Sequence, residues 1–218
     1  MRTKRFLITA ALMSAVVCAF FFCDNPYNKE TLKWKSSMDL TFRLSAGINA
    51  NLGNAAIDSG VVLDMGKQEI QISPDLKKRV TKFEDHEAEL TVSVTNATGV
   101  DFTLYGLLFK NHDAAADMSI AEYYDLITNS PAAGLAASGR ITLSGESGIS
   151  APPGETGTFT TDSSQSAPLC SLVLNSASFT WRWLAQLEPG SDPGDLSAGA
   201  DTVNINLKIR VSGVNSFD

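Results

Sequence analysis

Apolar and polar residues alternate with a period of two along much of this chain. Met38, Leu40, Phe42, Leu44, Ala46, Ile48, Ala50 and Leu52 are separated by Asp39, Thr41, Arg43, Ser45, Gly47, Asn49 and Asn51. Successive side chains of a strand point to opposite faces, so this stretch predicts a strand with one face buried and one wet. It is long for one strand, and Gly47 marks a bulge, bend or break. The same signal returns at Val61, Leu63 and Met65, at Ile70 and Ile72, and at Leu90, Val92 and Val94. Asn96 to Gly99 then predicts a turn, with Asp101 to Phe109 as hairpin partner. Further strands are expected around Leu143 and at Thr156–Thr160, Leu169–Leu174 and Phe179–Leu184, between Gly, Pro and Ser clusters such as Ala151–Gly154. The clearest is the last, where Val203, Ile205, Leu207, Ile209 and Val211 alternate with Thr202, Asn204, Asn206, Lys208 and Arg210. A slip of one residue there would bury the polar row.

Helical spacing is rare. Pro74 after Ser73, with Leu76, Val80 and Phe83, predicts at most three turns, with Lys77, Lys78, Arg79 and Lys82 on the wet face. Ser119 with Glu122 is a capping box, and Ile120, Tyr123, Tyr124 and Ile127 form a stripe that should end near Asn129, before Pro131. Ala132–Ala137 reads as small and flexible. Many alternating strands without a β-helix-β rhythm point to an all-β, antiparallel β-sandwich. The reading favoured is one immunoglobulin-like domain over residues 38–218 with one or two short helical insertions. Two smaller sandwiches split around residues 110–138 are the alternative.

The chain has 218 residues, 44% of them hydrophobic and 19% charged, which excludes disorder and is enough for a real core. Its first residues follow another logic: Arg2, Lys4 and Arg5 precede an uncharged run from Phe6 to Phe22, and then come Cys23 and Asp24. That is a secretory signal pattern, short for a membrane span, with an uncleaved anchor helix as the alternative. An apolar leader that stops at a cysteine followed by polar residues resembles a bacterial lipoprotein precursor, with Cys18 as a second candidate. The resemblance implies a signal peptide over 1–22, lipidation (palmitate and related chains) on Cys23 and a lipid-attached tether over 23–37. It also implies a protein of the bacterial cell envelope, anchored to the inner or outer membrane, with its body in the periplasm or at the cell surface. The partners implied are the membrane, through the lipid on Cys23, and an unknown envelope protein or glycan.

Without Arg2, Lys4 and Arg5 the chain keeps 14 basic against 24 acidic residues, a charge of −10. That balance argues against nucleic acid, whose binding rests on cations placed against phosphates. With Cys18 removed and Cys23 acylated, Cys170 is the remaining thiol, so no internal disulfide is expected; its apolar surroundings predict an inert, buried side chain.

Catalytic patterns are missing. His86 lies among Glu84, Asp85, Glu87 and Glu89, and His112 precedes Asp113; both read as solvated charge clusters, and no metal or cofactor is implied. The loop with Asp192, Asp195 and Asp201 is rich in Gly but lacks EF-hand spacing. The remaining candidate is the row Phe179, Trp181 and Trp183, which shares one strand face. Exposed, it would stack on sugar rings, with Tyr105 beside it; buried, it is the middle of the core, with Arg182 facing outward. The function expected is therefore a non-enzymatic structural or protein-interaction module. A glycan-binding module using Phe179, Trp181 and Trp183 is the first alternative and a carboxylate-dependent hydrolase the second.

Overall fold

The computed structural model describes residues 33–47, 54–57, 60–81, 84–189 and 202–216. They form an antiparallel two-sheet β-sandwich with short helices. The strands are β1 (Lys33–Gly47), β2 (Asn54–Ile57), β3 (Gly60–Gln71), β4 (Glu84–Asn96), β5 (Phe102–Lys110), β6 (Ile141–Thr142), β7 (Ile149–Ala151), β8 (Thr156–Thr160), β9 (Ser178–Leu187) and β10 (Thr202–Ser216). The helices are α1 (Pro74–Val80), α2 (Ile120–Asn129), α3 (Ala132–Ala137) and α4 (Ser166–Asn175).

One sheet has the order β1-β10-β4-β8 and the other β2-β3-β9-β5-β6, with β7 also paired to β5. No neighbours in the first sheet are consecutive in the chain, so the polypeptide leaves that sheet after each of β1, β4 and β8. With β2 as an extra edge and β6 and β7 as two halves of one broken strand, this is the order of a jelly roll, two Greek keys wound together. The immunoglobulin-like expectation is corrected accordingly, because in that fold each sheet holds consecutive strands side by side, whereas the sheet β1-β10-β4-β8 holds none. The expected hairpin between Leu90–Val94 and Asp101–Phe109 also fails: β4 pairs β10 and β8, whereas β5 pairs β9 in the opposite sheet. The reason is burial. Phe102 to Phe109 is buried at every position, so β5 needs cover on both faces and strands on both edges.

The turn that carries the chain across is built on Asn96. Its buried amide donates to the carbonyls of Val100 (2.9 Å) and Ala151 (2.7 Å) and accepts from the Thr98 amide (2.8 Å) and hydroxyl (2.7 Å). All four hydrogen-bonding positions of an amide are thereby used, which is what makes its burial tolerable.

Two further local expectations are corrected. Leu169–Leu174 is not a strand but the heart of α4, where Leu169, Cys170, Leu172 and Val173 are buried and Ser171 is exposed. That is helical rather than alternating periodicity, hidden because the segment is apolar on average. Ala132–Ala137 forms α3, with Leu135 and Ala136 buried. The capping box was legible: the Ser119 hydroxyl accepts from the Glu122 amide, and the Glu122 carboxylate accepts from Ser119. The first strand runs over 33–47, so residues 33–37 of the expected tether pair with 212–216. The leader, Cys23 and the loop with Asp192, Asp195 and Asp201 lie outside the described residues.

Candidate functional site

The alternation of β1, β10, β4 and β8 is in register across all four strands. Facing the other sheet are the rows Leu40–Ile209–Leu90, Phe42–Leu207–Val92–Phe159 and Leu44–Ile205–Val94–Gly157. Facing away are Ser37–Ser212–Glu87, Asp39–Arg210–Glu89, Thr41–Lys208–Thr91–Thr160, Arg43–Asn206–Ser93–Thr158 and Ser45–Asn204–Thr95–Thr156. This second face is polar in every row, and its residues are exposed or half-buried. The Asp39 carboxylate binds Arg210 (2.9 Å) on the neighbouring strand and Lys208 (2.7 Å) one row along. The hydrogen bond from Arg210, and then that from Lys208, hold its pKa down to about 2.

Beyond the end of β8 this face runs into a groove of about 510 Å³ lined by Glu87, Glu89, Asp162, Ser163, Ser166 and Arg210, among others. There the hydroxyls of Ser166 and Thr161 accept from the Ala88 (2.9 Å) and Leu90 (3.0 Å) amides, closing the edge of β4 where no strand continues. Among the described residues, no group of three or more His, Cys, Asp or Glu is placed to hold a metal. His86 Nε2 is engaged with the Val80 carbonyl at 2.9 Å, and His112 sits in a turn with φ 70°.

The other sheet is polar and exposed outward along the second half of β3, at Lys67, Glu69 and Gln71, and is covered over β5 and β9. Its outward residues Val62, Tyr105, Leu107, Phe109 and Leu184 form a second apolar cluster with Ala115, Tyr123, Ile127 and Leu135 of the insertion between β5 and β6. Phe179, Trp181 and Trp183 point the other way, into the core between the sheets, and are exposed by 0%, 1% and 1%. They offer no ring to a ligand, and the Trp181 and Trp183 rings pack edge-on at 6.4 Å. Tyr105 is buried under Tyr124.

Arg182 faces outward, as expected with the aromatic row buried, and lies under the insertion. Its guanidinium binds Asp64 (2.6 Å) and the carbonyls of Met118 (2.7 Å) and Ala115 (3.2 Å), and lies 4.6 Å from the centre of the Tyr123 ring. The Tyr123 hydroxyl accepts from the Leu107 amide and donates to the Arg182 carbonyl, and burial raises its pKa above the usual phenol value. Neither Asp64 nor Tyr123 as an anchor could be picked out from local sequence, because their partners lie far away along the chain. Cys170 is free and buried, as expected of an inert thiol, and burial pushes its pKa up to about 11.

Strand order and surfaces together define a jelly-roll sandwich with one sheet covered by helices over β5 and β9 and one sheet open and polar among the described residues. No protein-family model and no curated protein matches the chain. Among solved structures it is similar to a semi-empty virus-like particle of the giant freshwater prawn Macrobrachium rosenbergii nodavirus, at 12% identity and a TM-score of 0.42, over 85% of this chain and 96% of that one. A second structure of that nodavirus is similar at 9% identity and a TM-score of 0.38, over 84% of this chain and 58% of that one, so the chain spans little more than half its length. An empty particle of Kashmir bee virus is similar at 11% identity and a TM-score of 0.34, over 84% and 92%.

These are virus particles, not envelope lipoproteins, so the recognition drawn from the leader is corrected. With it go the envelope localisation, the lipid-anchored membrane partnership, the envelope-protein or glycan partner, and the envelope-lipoprotein, glycan-binding and hydrolase functions.

Proposed function

We propose that this chain is a non-enzymatic structural subunit that works by associating with copies of itself. Jelly rolls host capsid, lectin and cupin domains, so topology alone does not choose a role. The choice rests on the surface. The observation that carries the reading is that the helical insertion covers β5 and β9 of one sheet, while the other ends at a fifteen-residue edge strand, β1, paired only with β10 among the described residues. Proteins that stay apart normally blunt such an edge with a bulge, a proline, a short strand or charged side chains; β1 carries charges, but its outward row holds both signs, at Asp39 and Arg43. Here the β1–β10 register runs unbroken from Lys33 to Gly47 and holds no proline. Two other jelly-roll roles find little support: the large aromatic row is buried, and the open groove beside Glu87 is lined by acids and hydroxyls around a single arginine.

Sedimentation velocity of the purified full-length chain over a hundredfold range of concentration tests the reading. A mass that rises to a discrete oligomer is expected; a monomer at every concentration would overturn it.

A further inference from the structure

The outward row of β1 reads Ser37, Asp39, Thr41, Arg43, Ser45, and the inward row reads Met38, Leu40, Phe42, Leu44. Both rows are self-complementary about Thr41. Reversed onto itself with Thr41 opposite Thr41, the strand sets Asp39 against Arg43, Ser37 against Ser45, Leu40 against Phe42 and Met38 against Leu44. Residues directly opposite on an antiparallel pair share a face, so charge meets opposite charge outside and apolar meets apolar inside.

We propose that β1 pairs antiparallel with β1 of a second copy across a two-fold axis at Thr41, joining two four-stranded sheets into one continuous sheet. This rests on the self-association reading and names its geometry. Three observations support it. Arg43 forms no ion pair within the chain among the described residues, whereas Asp39 keeps an exposed carboxylate beside Lys208 and Arg210. Met38, Phe42 and Leu44 are only half-buried, although their partners Val211, Leu207 and Ile205 on β10 are fully buried. The apolar layer is thus incomplete at this edge, and an added strand would complete it. A two-fold pairing is also closed, so it produces a dimer rather than an open-ended stack.

Two variants of the full-length chain test the geometry, each checked by circular dichroism for an unchanged fold. Thr41→Cys replaces an outward side chain whose counterpart across the axis would lie about 5 Å away, so mild oxidation should give a disulfide-linked dimer. Both cysteine variants are made in a Cys18→Ser, Cys23→Ser background; Thr158→Cys, on the same face but on the opposite edge strand β8, serves as control and should stay uncrosslinked, as should that background. Arg43→Asp leaves the Asp39, Lys208 and Arg210 contacts in place but sets like charges against each other twice across the axis. Dimerisation should weaken by about tenfold or more. If the chain self-associates while Thr41→Cys crosslinks no better than Thr158→Cys, or Arg43→Asp leaves the dissociation constant unchanged, the β1 pairing is wrong and the broader reading stands. If the chain is monomeric throughout, both fall.

Discussion

The Arg182 guanidinium meets the Asp64 carboxylate at 2.6 Å beneath the helical insertion, with side-chain exposures of 6% and 22%. A buried pair of this kind adds little net stability over an apolar pair, but removing one partner strands the other. Arg182→Met takes the guanidinium from Asp64, which keeps the Gly66 amide, and from the Ala115 and Met118 carbonyls. A loss of about 3 kcal/mol in urea unfolding is expected, with limited proteolysis first cutting between β5 and β6. A loss below about 1 kcal/mol would mean that the apolar contacts of Tyr123 and Ile127 hold the insertion unaided.

Gly106 lies in central strand β5 against the Trp183 ring, and a methyl group there would come within 2.5 Å of the ring carbons. Neither the strand nor the ring, buried between two sheets, has room to retreat. Gly106→Ala should cost about 1–3 kcal/mol through overpacking and alter the near-ultraviolet dichroism of the tryptophans. An unchanged melting temperature would show that the core is looser than the packing indicates.

Asn96 joins the two halves of the sandwich through its bonds to Val100 and Ala151. In Asn96→Leu the buried Ala151 carbonyl and the Thr98 amide lose their partner and the Val100 carbonyl keeps the Thr98 hydroxyl, so a destabilisation of about 2–4 kcal/mol is expected from chemical denaturation. Asn96→Asp, which keeps the acceptor but removes the amide donors, should recover only part of it.

Asp39 has its pKa lowered from 3.8 to about 2 by Arg210 and Lys208. A depressed carboxylate stabilises the fold fully above its unfolded pKa and loses that contribution as pH falls through the folded value. The stability difference between wild type and Asp39→Asn should therefore be present near neutrality and disappear between pH 3.8 and about 2. Thermal melts at a series of pH values measure it; a constant difference across the window would place the effect in packing rather than charge.

The Cys170 thiol, with its pKa raised to about 11, should react with a thiol reagent only on unfolding. In a Cys18→Ser, Cys23→Ser background, rapid labelling of the native chain would contradict its burial.

Period-two alternation was enough to show that this is a strand protein and to locate β4, β8 and β10, because one buried face leaves a direct mark on neighbouring residues. The capping box at Ser119 and Glu122 was legible for the same reason, since its donors and acceptors are three residues apart. Strands buried on both faces leave no such mark: Phe102–Phe109 and Phe179–Leu187 are distinguished from edge strands only by the insertion that covers their second face. The apolar run Leu169–Leu174 was compatible with strand or helix until its surroundings chose helix. Sheet order, the burial of Trp181 and Trp183, and the pairing of Arg182 with Asp64 all depend on residues distant in the chain. The symmetry of Ser37–Ser45 about Thr41 was written in the sequence from the start, but only the tertiary structure turned it into a surface, by placing that strand at the edge of its sheet among the described residues.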